Sequence, residues 1–143
     1  EYAKALAEYQ FVMQDYADSK IAKEVPEVLQ NVREIIAYGE YEQAMVIFSE
    51  ALSLEKESKK AEAVAKFREV VPLFVGIMER YPNTEVEVGA LSNLGVCYEF
   101  QNQWKDAVQT YDRVITLFEA ERASQEAYQF AKGHRDWIVT SRL

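Results

Sequence analysis

The chain has 143 residues, of which 49% are hydrophobic, with nine Tyr, seven Phe and two Trp. Its 24 acidic against 16 basic residues give a net charge of −8, which disfavours nucleic acid and anionic membrane surfaces, since phosphate recognition needs clustered Lys and Arg. One cysteine, Cys97, excludes an intrachain disulfide, and no run of the ~18 apolar residues that a spanning helix requires occurs, so direct membrane insertion is not expected.

Apolar residues recur at helical spacing along the whole chain. Tyr2, Ala5, Leu6, Tyr9, Met13 and Tyr16 predict a first helix near residues 2–18. Pro26 suits the first turn of a second helix, where its missing N–H is not needed. Val28, Leu29, Val32, Ile35 and Ile36 give that helix its apolar side, and Gly39 is expected to end it. A third helix follows at once through Tyr41, Ala44, Met45, Phe48, Ala51 and Leu52. The polar run Glu55 to Lys60 places a turn near Ser58. A long fourth helix runs from Lys60 to Arg80, with Pro72 inside it predicting a kink or a break. Tyr81-Pro82-Asn83-Thr84 stops that helix and offers Asn83 or Thr84 as the next N-cap.

The fifth helix carries Val88, Leu91, Leu94, Gly95 and Tyr98 and ends at Asn102, a residue that tolerates left-handed dihedrals. The sixth carries Ala107, Val108, Tyr111, Val114, Ile115 and Phe118. The seventh carries Ala123, Ala127, Phe130, Ala131, His134, Trp137 and Ile138, with Gly133 weakening its middle. No segment resembles a linker, so residues 1–143 are expected to form a single helical domain. The start at Glu1 without Met suggests a fragment or the mature part of a longer protein.

Two halves of the chain are related. YGEYEQAMVIFSEAL at Tyr38–Leu52 aligns with QNQWKDAVQTYDRVI at Gln101–Ile115, placing Tyr41 over Trp104, Ala44 over Ala107 and Phe48 over Tyr111. Upstream, FVMQDYADS at Phe11–Ser19 is similar to GIMERYPNT at Gly76–Thr84. Gly95 costs a helix about 1 kcal/mol relative to Ala. Close approach of two antiparallel helices at Gly95 and Ala107, with Tyr98 and Tyr111 filling the space on either side, offsets that cost.

This constellation resembles the tetratricopeptide repeat, a helix-turn-helix unit of about 34 residues. Leu91, Leu94, Gly95, Tyr98, Ala107, Tyr111, Val114 and Glu119 fall on the motif's preferred positions, with Leu91 where Trp is usual and Val114 and Glu119 where Ala and Pro are. Ala44 and Phe48 repeat the pairing of a small residue with an aromatic one. The long helix closing in Tyr81-Pro82-Asn83-Thr84 looks like the repeats of bacterial envelope-assembly and cell-division coordinators. The resemblance implies an all-α fold of about seven antiparallel helices stacked as a right-handed superhelix, three pairs and a C-terminal capping helix. The third helix pairs either with the second or with the fourth; pairs 1–2, 3–4 and 5–6 are favoured because they leave the seventh as the cap.

The resemblance also implies a concave groove lined by the first helix of each pair. The motif's groove positions fall on Gly89, Ser92, Val96, Glu99 and Phe100. Val96 and Phe100 would supply an apolar floor and Glu99 an acidic contact, which suits an amphipathic or basic peptide. The Lys and Arg side chains with which chaperone-tail versions clamp a carboxylate are missing from this helix.

No phosphate-binding loop, dinucleotide glycine pattern, HExxH, EF-hand or CxxC is present. A lone histidine, His134, suits packing at a half-buried helix end, and Cys97 reads as a small buried hydrophobe. Glu85, Glu87, Asp106 and Asp112 suit helix starts or solvated faces. Lys132, Arg135 and Arg142 either complement a helix C-terminus or dock on the acidic body of another copy. The expectation is therefore a non-enzymatic scaffold without cofactor or metal, binding a partner peptide or protein segment. The alternatives are a self-assembling structural module and a regulatory domain attached to a catalytic region outside this chain. No targeting signal chooses between bacterial cytoplasm and periplasm.

Overall fold

The computed structural model describes the backbone of residues 1–15 and 20–143, and the side chains of residues 1–11 and 24–143. Among the described residues there are six helices and no strand: α1 (Tyr2–Asp15), α2 (Lys20–Lys56), α3 (Lys60–Arg80), α4 (Val86–Phe100), α5 (Trp104–Glu119) and α6 (Gln125–Ser141). The expected end of the first helix, including Tyr16, lies outside the described residues, as does the side chain of Met13.

The main departure from the sequence reading is α2. The second and third expected helices are one helix of 37 residues, and the count falls from seven to six. Gly39 does not end it. A glycine stops a helix by taking a left-handed conformation, and no glycine in the chain has positive φ. The left-handed positions are held by Ser58 (φ 61°), Asn83 (φ 64°), Asn102 (φ 57°) and Glu121 (φ 60°), each in a turn between helices. Ser58 and Asn102 are the expected stops, and Asn83 stands in the expected Tyr81–Thr84 turn.

Pro72 neither ends nor interrupts α3, which runs through it. Both Pro72 and Arg68, whose carbonyl loses its partner N–H four residues on, are exposed, so water can satisfy the freed oxygen. Pro26 lies beyond the first turn of α2 rather than in it, because the helix begins at Lys20. Neither Asn83 nor Thr84 caps α4: the helix follows Glu85 with no side-chain cap. Thr84 donates its hydroxyl to the Tyr81 carbonyl at 2.8 Å, and the Asn83 N–H donates to the Glu87 carboxylate at 3.1 Å. Ser124 does cap α6, accepting from the Ala127 N–H at 3.1 Å.

Each helix packs on its successor: α1 on α2, α2 on α3, α3 on α4, α4 on α5 and α5 on α6. The third expected helix, now the second half of α2, therefore pairs with α3 as favoured. Its buried stripe is Ala37, Ala44, Phe48 and Ala51. Phe48 meets Phe67 and Phe74 edge-on, with ring centroids 6.1 and 5.8 Å apart. Leu91, Tyr111, Val114 and Ile138 continue the same core through α4, α5 and α6.

Beyond these neighbours, α2 touches α4 and α4 touches α6, while α3 and α5 do not meet. The stack therefore closes on the α2/α4/α6 side and opens on the α3/α5 side. That curvature gives the molecule an inner surface.

Candidate functional site

Small residues set the depth of the inner surface. A Cβ on Gly89 of α4 would lie 2.8 Å from the Tyr41 hydroxyl oxygen, so the glycine lets α4 settle against α2. Asn93 fixes the contact: its amide donates to that hydroxyl at 3.0 Å and lies 3.1 Å from the Met45 sulfur. Burial raises the Tyr41 phenol above its ordinary pKa, and the Asn93 hydrogen bond opposes that.

Further along the same helix, Gly95 meets Tyr111 of α5. A Cβ there would stand 2.6 Å from Tyr111 Cζ, and the three nearest atoms all belong to that ring. The glycine thus makes room for an aromatic ring, while Ala107, fully buried on α5, is not among its nearest contacts. Leu91 and Leu94 are buried on the same helix, Ala44 and Phe48 are buried on α2, and Tyr98 is half-buried against the core.

Glu99 turns inward. Its Oε1 accepts the Tyr111 O–H at 2.7 Å and lies 2.6 Å from His134 Nδ1. A carboxylate only accepts, so Nδ1 carries a hydrogen here. Three helices are joined at this one oxygen. Burial, then the adjacent Glu99, raises the Tyr111 phenol strongly, and burial pushes the Cys97 thiol up to about 12. Such a thiol stays protonated and inert at neutral pH.

The other groove candidates are spread along α4. Ser92 lines a recess of about 760 Å³ between α4 and α6, together with Gly89, Asn93, Ala127 and Phe130. Its hydroxyl donates to the Val88 carbonyl at 2.9 Å. Val96 is half-buried against the core. Phe100 stacks face to face on Phe67, with centroids 4.7 Å apart. Phe100 and Glu99 both line a smaller recess at the far end of α4.

A groove of about 1060 Å³ runs along the open face of α2. Tyr38 and Val46, 56% and 60% exposed, stand on it with Tyr41, Met45 and Leu54. Sequence reasoning missed this face. Its signal, Tyr38, Tyr41, Met45 and Val46 at helical spacing beside the buried alanines, becomes readable only when residues 20–56 are one helix. The groove carries Glu42 and the exposed pair Glu50–Lys66 at 3.1 Å; the α4/α6 recess carries Glu85, Glu121 and Glu126 against Arg122. Both surfaces are acidic on balance.

Several charges, including ones expected at helix starts or on solvated faces, are engaged. Glu87 is buried, 7% exposed, and bonds Arg122 at 2.7 Å, tying the first turn of α4 to the turn before α6. Asp112 accepts from Arg135 at 2.6 Å, and Lys132 donates to Asp136 at 2.6 Å. Among the described residues no helix is long and apolar enough to cross a membrane.

Residues 90–119, the α4–turn–α5 unit whose packing is described above, match the family model of the tetratricopeptide repeat. No curated protein and no solved structure matches the chain.

Proposed function

We propose that this chain, which carries a tetratricopeptide repeat in α4 and α5, is a non-catalytic docking module whose inner surface holds a basic, amphipathic segment of a partner protein. One observation carries the reading. The open face of α2 presents an apolar strip, Tyr38, Met45 and Val46, beside the carboxylates Glu42 and Glu50 in one groove. An exposed apolar strip of that kind in an acidic chain fits a helix bearing apolar residues on one face and Lys or Arg beside them. The α4/α6 recess at Ser92, with Val96, Glu99 and Phe100 along the same helix, extends the surface toward α6.

Panning a peptide display library against the immobilised chain tests this. Enriched sequences are expected to combine basic residues with apolar residues three and four apart, and to be lost on a Val46→Lys variant. A library with no enrichment, or equal enrichment on Val46→Lys, rejects the reading. Val46 is exposed, so the substitution leaves the core intact.

A second reading, self-assembly, is favoured by the C-terminal end of α6 and the residues after it, where Val139 and Leu143 are 40% and 60% exposed. Light scattering over a concentration series separates the two: a monomer throughout removes self-assembly and leaves peptide docking standing.

A further inference from the structure

Three of the seven arginines pair with carboxylates: Arg80 with Glu40, Arg122 with Glu87, and Arg135 with Asp112 and Asp136. Arg142 does otherwise. Among the described residues its guanidinium has no carboxylate partner. It lies instead 5.2 Å from the ring centroid of Trp104 and 5.2 Å from that of Trp137. The two indoles meet edge to face at 74° with centroids 6.0 Å apart, and the cation sits in the corner-shaped cleft where they meet. A guanidinium within about 6 Å of a tryptophan face is attracted by the ring's quadrupole.

The cleft is built from elements distant in sequence. Trp104 opens α5 and Trp137 lies near the end of α6. Both line a recess of about 380 Å³ shared with Phe100, Val64, Glu55 and Glu99. Lys60 also lines it; against Glu55 and Glu99 the lining is acidic on balance, which favours a cation beside the rings. Trp137 is 44% exposed, which leaves the cleft open to solvent on one side.

We propose that Trp104 and Trp137 form a binding cleft for the arginine side chain of a partner peptide, and that Arg142 is the chain's own occupant, displaced when the partner binds. The ligand class follows from the occupant: a planar cation that stacks on an indole rather than seeking a compact anion. Nothing in this step requires the groove on α2.

The chain has only two tryptophans, so emission excited at the red edge, where tyrosine does not absorb, reports on this cleft alone. The probe is the capped tripeptide Gly-Arg-Gly, with its uncharged citrulline isostere as control. Titration of the arginine peptide is expected to give a saturable change in emission, and the citrulline peptide none. Arg142→Ala removes the competitor, so half-saturation should move about two- to fivefold lower, the range set by one cation–π contact at an exposed site. Trp137→Leu, with Trp104 left as reporter, should abolish the response. Circular dichroism checks that each variant stays folded. No saturable change in either wild type or Arg142→Ala, an equal response to citrulline, or a half-saturation in Arg142→Ala no lower than in wild type overturns the proposal. Each of these outcomes would leave Arg142 as a cation placed only to suit the C-terminus of α6.

Discussion

Gly95 and Gly39 occupy the same kind of position, the interior of a helix, and do opposite things. At Gly95 a ring of the facing helix fills the space where a side chain would be. At Gly39 nothing lies within 4 Å of that space. The α4/α5 unit therefore depends on its glycine, while α2 merely tolerates one. A helical glycine is informative only through what approaches it. Its backbone cost is the same in both places, about 1 kcal/mol relative to Ala.

Removing the partner ring is the strongest way to break this contrast. Tyr111→Ala should cost about 3–5 kcal/mol, since the side chain is fully buried, read as a fall in the urea midpoint. Gly95→Ala should cost about 1–3 kcal/mol through overpacking against Tyr111. In a Tyr111→Ala background the same change should become stabilising, because only helix propensity remains. A Gly95→Ala midpoint at or above wild type would dissolve the distinction between the two glycines.

Alkaline pH probes the same tight unit. The Cys97 thiol, of ordinary value 9.0, is pushed up to about 12 by burial. The unfolded chain then ionises first, so this contribution is complete below pH 9 and is lost as pH rises toward 12. Between those limits wild type should lose up to about 1.4 kcal/mol per pH unit more than Cys97→Ala, measured as urea midpoints at pH 8 and pH 10.5. The smallest effect is at the open glycine: Gly39→Ala should stabilise by about 0.5–1 kcal/mol, seen as a small rise in thermal midpoint.

Much of the helical order was legible because its signals are local. The turn at Ser58, the stop at Tyr81–Thr84 and the end at Asn102 follow from short polar or left-handed-tolerant residues between apolar runs. The bounds of α3 coincide with the expected Lys60–Arg80. The fusion of two expected helices into α2 was hidden because Gly39 has the composition of a stop without its conformation. Pro72 was similarly ambiguous: whether a proline breaks a helix depends on whether water reaches the freed carbonyl, which is a tertiary fact. The junction of Glu99, Tyr111 and His134 joins residues far apart in the chain, and no spacing rule brings them together. The α2 groove was obscured for the first reason and the tryptophan cleft for the second.

The unbroken α2 has a mechanical consequence. At about 1.5 Å per residue its 37 residues make a strut of roughly 55 Å, leaning on α1 and α3 alike. No loop divides it, and beyond Pro26 no proline removes a hydrogen bond from its backbone. Strain applied where α1 sits is shared elastically along the rod, and the array yields as a spring does, by small twists summed over many rungs.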